Sequence, residues 1–315
     1  MKRLFAVLAC LAIASPLWAM KPRRIPQRPA TPAAPATVTI TGSPLTIVVG
    51  DDTSMQVYNS NVPGTGQFYP PDCTPGETAD SGVFVATGGV VYGPDFNNHP
   101  CGSASNTYTP WTPVSLSAVT GAGNATDPFT VVIVANADSS LQLTETITYV
   151  NGDSKATISL SFITEGTVTA DAFVGSDLFL ADSDAGFSFG SASAAGGHGA
   201  SSTCQQLQYT ISWLGTTPAT NWTAQGYSQV WQAISAGALT DFVDPLCIDN
   251  GAALEWAGLN VGGTPVVIST GVSFTGQAVP VGAVVPALSV TGLVALVGLL
   301  AVVGYVLAKK SSLGA

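Results

Sequence analysis

"LQLTETITYVNGDSKATISLSFITEG", residues 141–166, is the stretch whose reading decides the fold class. Thr144, Thr146 and Thr148 alternate with Glu145, Ile147 and Tyr149. On the return, Ile158, Leu160 and Phe162 alternate with serines. A period of two sends one set of side chains to a buried face and the other to solvent. Asn151-Gly152 lies between the two runs and suits a primed hairpin turn, which needs positive φ. The segment therefore reads as a half-buried antiparallel hairpin.

The same grammar extends outward in both directions. "TVTITG", "LTIVVG", "SMQVY" and "GVFVATGGVVYG" are short β-branched runs punctuated by Gly, Pro, Asp and Asn. Only "GYSQVWQAISAG" reads as helical, with Tyr227, Val230, Trp231 and Ile234 at helical spacing. "SASAAGGHGASS", residues 191–202, reads as a flexible loop. No period of the length used by repeat architectures is visible. The expected fold is all-β: a large antiparallel β-sandwich over residues 38–275. The alternative is two smaller sandwiches dividing near residue 125, with "TGAGNATDP", residues 120–128, as linker.

The flanks carry different instructions. Residues 1–19, "MKRLFAVLACLAIASPLWA", have Lys2 and Arg3, an apolar stretch and Ala19 before a cut, the layout of a secretion signal. Cys10 comes too early within the apolar run for a lipid-attachment site and belongs to that signal. Residues 20–37 form a Pro-rich basic linker. After a second linker, residues 276–285, the run 286–308 is free of charge and long enough to cross a bilayer. Lys309 and Lys310 follow it in a tail ending at residue 315, which puts that tail in the cytoplasm and the β region outside.

Charge narrows the partners. Only 9% of residues are charged, against about 25% in an ordinary globular protein. Between residues 29 and 308 one base, Lys155, faces all 19 acids, a formal charge of −18. Such a surface repels nucleic acid and lacks the bases that clamp phosphates or uronates. With Cys10 removed, Cys73, Cys101, Cys204 and Cys247 are an even set in an exported chain, which argues for two disulfides. The sequential pairing closes the shortest loops. Zinc on Cys73, His99 and Cys101 is disfavoured by the tight His-Pro-Cys spacing and the oxidising compartment.

No catalytic constellation is recognisable. "GFSFG", residues 186–190, matches a nucleophile-elbow pattern, but no acid and then histidine follow Ser188 in the required order. Its plain reading is Phe187 and Phe189 alternating into a core with the serine outward. His99 and His198 read as exposed loop residues. Asp177, Asp182 and Asp184 precede a glycine in a spacing that suits calcium, or else ordinary Asp turn chemistry. Trp111, Trp213 and Trp222 read as core or hairpin residues, with a sugar-stacking platform as the alternative. Lys155 reads as solvated beside a hairpin tip.

Two resemblances follow from particular residues. "LQLTETITYVNGD", "FVGSDLFLADSDAGFSFG" and "DNGAALEWAGLNVGGTPVVIS" together resemble a β-supersandwich domain of secreted bacterial surface proteins, including its Asp-Asn-Gly turn. That fold also hosts carbohydrate-active enzymes. "VPALSVTG", residues 285–292, resembles the IPTL-type C-terminal sorting signal of Gram-negative bacteria. Pro286, Leu288, Ser289 and Gly292 match, Ala287 replaces threonine, and Thr291 stands where tryptophan is usual. The resemblance implies that Pro286, Ala287, Leu288, Ser289 and Gly292 are read by an exosortase-like membrane peptidase. The alternative is a permanent single-pass anchor.

The expectation from sequence is thus an exported, non-enzymatic cell-surface or extracellular protein without a required cofactor, sorted by its tail. The alternative is a carbohydrate-binding or carbohydrate-active β-sandwich held in the inner membrane, with a surface polysaccharide as partner. A third reading is a calcium-stabilised adhesin.

Overall fold

The computed structural model describes residues 36–276 apart from 63, 70–76, 79–80, 96–98, 100–107, 139, 181–182 and 200–208. The first strands are β1 (Thr37–Thr41), β2 (Leu45–Gly50), β3 (Met55–Asn59), β4 (Gly82–Thr87), β5 (Val90–Gly93) and β6 (Thr109–Pro110). Next come β7 (Thr112–Leu116), β8 (Phe129–Asn136), β9 (Leu141–Tyr149), β10 (Lys155–Thr164), β11 (Val168–Asp177) and β12 (Ala185–Ser191). The chain continues through β13 (Ala194–Gly199), β14 (Tyr209–Leu214), β15 (Asn221–Gly226) and helix α1 (Tyr227–Ala236). It closes with β16 (Phe242–Val243), β17 (Cys247–Val261) and β18 (Val266–Gly276).

The deciding hairpin is β9–β10, paired antiparallel with Ile158 opposite Ile147 and Thr157 opposite Thr148. Leu141, Leu143, Glu145, Ile147 and Tyr149 are buried, and the threonines between them face outward. The turn differs from the primed form expected. Only Gly152 takes positive φ, and Asp153 N–H closes onto Val150 O at 3.1 Å. Neighbours hold Asn151 instead: its Oδ1 accepts Ser43 N–H at 3.0 Å, and its own N–H reaches Gly123 O at 2.9 Å.

β1–β2–β3 form a small antiparallel sheet. Tyr149 ties it to the hairpin, its hydroxyl accepting Leu45 N–H at 3.1 Å and donating to Asp153 O at 3.0 Å. Gly42 is required there, because a Cβ would overlap the Tyr149 ring. The remaining strands make one large sheet in the order β6-β5-β4-β11-β17-β12-β13-β14-β18-β10-β9-β8-β7, with β15 and β16 branching from β17. Strands from both sides of residue 125 share it. The pairing is antiparallel except at the two-residue strands β6 and β16, which pair parallel. The sheet curls around one apolar core. Across that core Trp213 Nε1 of β14 donates to Ser176 Oγ of β11 at 3.0 Å, and Phe68 meets Trp213 edge-on at 5.8 Å.

Helix α1 forms where the helical spacing predicts it, burying Val230, Trp231 and Ile234, and stops at Gly237 in the left-handed conformation. The stretch expected to be a loop is corrected. Residues 194–199 are strand β13, whose small residues pass close to β14: a Cβ on Gly196 would overlap Ile211 O.

Strict alternation also forces Glu145 into the core, where neither carboxyl oxygen meets a hydrogen-bond donor. Burial, with the charge of Asp52 adding to it, pushes its pKa up to about 8. The folded state therefore holds a proton that the unfolded chain releases near 4.5. Stability from this group is full at acid pH, falls as pH rises from about 4.5 to about 8, and levels off above. Every tenfold difference in proton affinity between the two states is worth about 1.4 kcal/mol. We expect Glu145→Leu to remove most of this slope and to raise the midpoint of urea unfolding at pH 9 well above that of the parent. Parallel pH profiles for the two proteins would show that Glu145 is not the group responsible.

Candidate functional site

Strand β17 belongs to two layers. From Gly251 onward it pairs with β11, whereas Asp249, Ile248 and Cys247 pair with β12. The Asp-Asn-Gly expected to turn the chain is therefore a strand segment at the crossing. Gly251 is placed there by space: a Cβ would press on Ser176 O and on the Cα of Tyr227. Asn250 is buried, donates its Nδ2 to Ser188 Oγ at 3.1 Å, and leaves Oδ1 without a donor. Asp249 faces the opposite way from Asn250, beside Ala185 of β12.

Phe187 lies opposite both Cys247 and His198. Phe187, Phe189, His198 and Thr210 consequently share the outward face of β12, β13 and β14. This reverses the expected orientation of "GFSFG". Phe187 is 36% exposed, and the serine points inward to Asn250. The reason is visible in the glycines of the opposite parity. A Cβ at Gly186 would overlap Leu180, and one at Gly190 would overlap Trp222, so those bulkier side chains fill the interior from elsewhere. Phe189 stacks on His198 with ring centroids 4.3 Å apart and 24° between planes. His198 Nδ1 lies 2.7 Å from Thr210 Oγ1. Burial lowers the His198 pKa, so the ring is neutral near pH 7. His198 is thus a strand residue in an aromatic stack, not a loop residue.

Beside this platform is a cleft of about 330 Å³ lined by Gln225, Tyr227, Gln229, Asp244, Ile248 and Asp249. Asp249 is two residues from Cys247, roughly 7 Å along the strand that flanks Phe187. Partial enclosure, and then the charge of Asp184, push the Asp249 carboxyl up to about 6. A carboxyl that changes state near pH 6 can donate or accept a proton close to neutrality. Amides, a phenol ring and an adjustable carboxyl in one cleft, next to a partly exposed phenyl ring, can hold a polyhydroxylated ligand by hydrogen bonds and stacking.

The other residues singled out in the sequence fall elsewhere. Asp177 is buried at the end of β11, and Asp184 O accepts Asn250 N–H at 3.3 Å. Asp182 lies outside the described residues, so the calcium triad as a whole does too. Among the described residues no group of three or more His, Cys, Asp or Glu is placed to hold a metal. Cys247 is disulfide-bonded. Cys73, Cys101 and Cys204 lie outside the described residues. Trp111 and Trp213 are buried, and Trp222 packs against the core, so they build no platform. Pro286, Ala287, Leu288, Ser289, Gly292, Lys309 and Lys310 also lie outside the described residues, and no described helix is long and apolar enough to cross a membrane.

His99 is corrected from an exposed loop residue to a buried one. Its Nε2 lies 2.8 Å from Asp52 Oδ2, and its Nδ1 lies 3.1 Å from Thr78 O. The ring is thus held between the Asp52 carboxylate on one side and the carbonyl and hydroxyl of Thr78 on the other. Asp52 is also bonded by Ser54 Oγ and by Asp95 N–H at 3.0 Å. These bonds and the histidine's charge outweigh burial and hold its pKa below the usual carboxylate range.

No protein-family model matches this chain, and no curated protein does. Solved structures that resemble it include a mutant of heparan sulfate lyase HepC from Pedobacter heparinus (TM-score 0.44, 9% identity), with 78% of this chain and 36% of the lyase covered. A provisionally named aldose 1-epimerase from Escherichia coli K12 aligns at TM-score 0.42 and 10% identity, over 77% of this chain and 99% of its own. A provisionally named mutarotase from Salmonella typhimurium gives 0.40 and 9%, over 78% and 92%. The chain spans about a third of the lyase's length. Likenesses this distant assign neither site nor substrate. Against the expectation of a non-enzymatic protein, all three are named for enzymes, a statement about those proteins that gives this chain no activity. Carboxylates drawn from distant strands leave no linear motif, so the lack of one did not exclude catalysis.

Two signals in the sequence pointed toward this site without defining it: the glycines flanking Ser188, and the acid at the head of the longest strand. We expect Asp249 to titrate near pH 6 by carboxyl-carbon NMR. Asp184→Asn should lower that midpoint by removing the repelling charge, without restoring an ordinary value, because enclosure is the larger cause. A midpoint unmoved by the substitution would show that the two carboxyls do not interact.

Proposed function

We propose that this chain is an exported β-sandwich that binds, and in its cleft acts on, a neutral carbohydrate. The observation that carries this reading is the juxtaposition of the Phe187–Phe189–His198 platform with the Asp249 cleft. Rings of this kind stack on the apolar faces of sugars, while amides and carboxyls bond the hydroxyls. The restriction to neutral sugars comes from charge. Lys155 is the only base between residues 29 and 308, so nothing in the folded region can clamp a sulfate or a uronate.

Delivery rests on the flanks. Residues 1–19 direct export, and residues 286–308 hold the chain at the inner membrane. Cutting at the Pro286–Ser289 head by an exosortase-like peptidase would release the domain toward the surface. The mass of the mature protein separates this from a permanent anchor: loss of everything beyond roughly residue 286 supports sorting, and an intact tail supports the anchor.

Affinity electrophoresis against a panel of neutral glucans, mannans and galactans tests the reading. Retardation by at least one polymer is expected, weakened roughly tenfold by Phe187→Ala, which corresponds to about 1.4 kcal/mol of stacking. Asp249→Asn should abolish turnover of the bound polymer with less effect on its binding. The reading fails if no neutral polymer retards the protein, or if Phe187→Ala binds as well as the parent.

A further inference from the structure

The outward face of the large sheet continues away from the platform, through β14, β18, β10, β9 and β8. Two cross-strand rows on it are rich in hydroxyls, the first reaching Gly271 of β18 and the second Val132 of β8, with Val134 and the exposed Val267 in the row beyond. Thr130, Thr148 and Thr157 align across β8, β9 and β10, and Thr146, Ser159 and Ser269 align across β9, β10 and β18. All six are at least partly exposed. The hydroxyls of Thr146, Thr148, Thr157 and Ser159 make no hydrogen bond within the described residues. They are free to bond something outside the chain.

The charge on this face is unusual for the molecule. The chain carries 19 acids, yet none occupies an outward position on these five strands; their one acid, Glu145, points inward. The only charge is Lys155, at the edge of the face. A merely soluble surface of so acidic a protein would share in its acids. A face of unpaired hydroxyls and small apolar side chains, with its one charge at the edge, matches a ligand that is itself uncharged, covered in hydroxyls and apolar on its ring faces.

We propose that this face is an extended binding surface for one linear neutral polysaccharide chain, which begins at the Phe187–Phe189 platform and lies across the strands toward β8. The inference rests on the carbohydrate reading above and adds the class of ligand: a polymer rather than a mono- or disaccharide. From β12 to β8 there are six strand spacings, about 29 Å at ~4.8 Å each. Sugar rings of comparable size can therefore meet the face strand by strand.

The test uses the full exported domain and the neutral polymer that retards it most strongly. Oligosaccharides of that polymer, from one to six rings, are titrated by calorimetry. The expected result is a Kd that falls at least about tenfold between two and five rings, about 1.4 kcal/mol. Combining Thr146→Glu, Ser159→Glu and Ser269→Glu should erase that gain and leave the affinity for the shortest ligand unchanged. If the triple variant does not fold, Thr157→Glu, at an exposed position, should reduce the gain alone. Binding of short ligands with no gain from length overturns the extended surface and leaves the carbohydrate reading standing. No binding at any length overturns both. If instead the glutamates convert a dimer to a monomer by light scattering and leave the length dependence intact, the face joins two copies of this chain and the proposal is wrong.

Discussion

The architecture depends on one strand that serves two layers. β17 runs for 15 residues, pairing first with β12 and then with β11, while β15 joins its other side. A strand can leave one layer and enter another only where its backbone can come close to several neighbours at once. Asn250 and Gly251 meet that requirement: the first fills the space left by Gly186 and Gly197, and the second carries no side chain into the crowded crossing. The same crossing sets Asp249 beside Asp184 and opens the cleft at the start of helix α1. Site and scaffold are therefore one construction.

Polar groups inside the molecule divide into two kinds. Asp52 and His99 form a buried pair whose remaining bonding positions are met by Ser54, Asp95 and Thr78, so the cost of removing these groups from water is offset locally. Glu145 has no such partners and stays neutral by keeping its proton. The two respond oppositely to pH. Asp52, held low, stabilises the fold above the ordinary carboxylate range, and Glu145 stabilises it less as pH rises toward 8.

Glycine decides which way the aromatic residues face. In β12 the residues alternate as Phe187, Ser188 and Phe189 between Gly186 and Gly190. Leu180, Trp222 and Val243 crowd the glycine side, so the phenyl rings are displaced to the outer face, where Phe189 finds His198. The phenyl rings and the unpaired hydroxyls of β9 and β10 then lie on the same side of the large sheet. The proposal of a neutral glycan as ligand rests on that coincidence.

The β9–β10 hairpin, helix α1 and the near absence of bases were legible in the sequence by itself, because each rests on local periodicity or on composition. The alternation of Leu143, Glu145 and Ile147 with threonines determines which residues share a face without any partner in view. What periodicity could not supply was which face of β12 meets the core, since parity alone is symmetric and the deciding side chains, Leu180 and Trp222, arrive from other strands. Nor could it show His99 in the core, because its partners Asp52 and Thr78 lie 47 and 21 residues away. The carboxyl of Asp249 likewise became chemically distinct only when the crossing of β17 brought Asp184 beside it. Local order was written in the side-chain pattern. The site required long-range pairing, which alone decides what each face encounters.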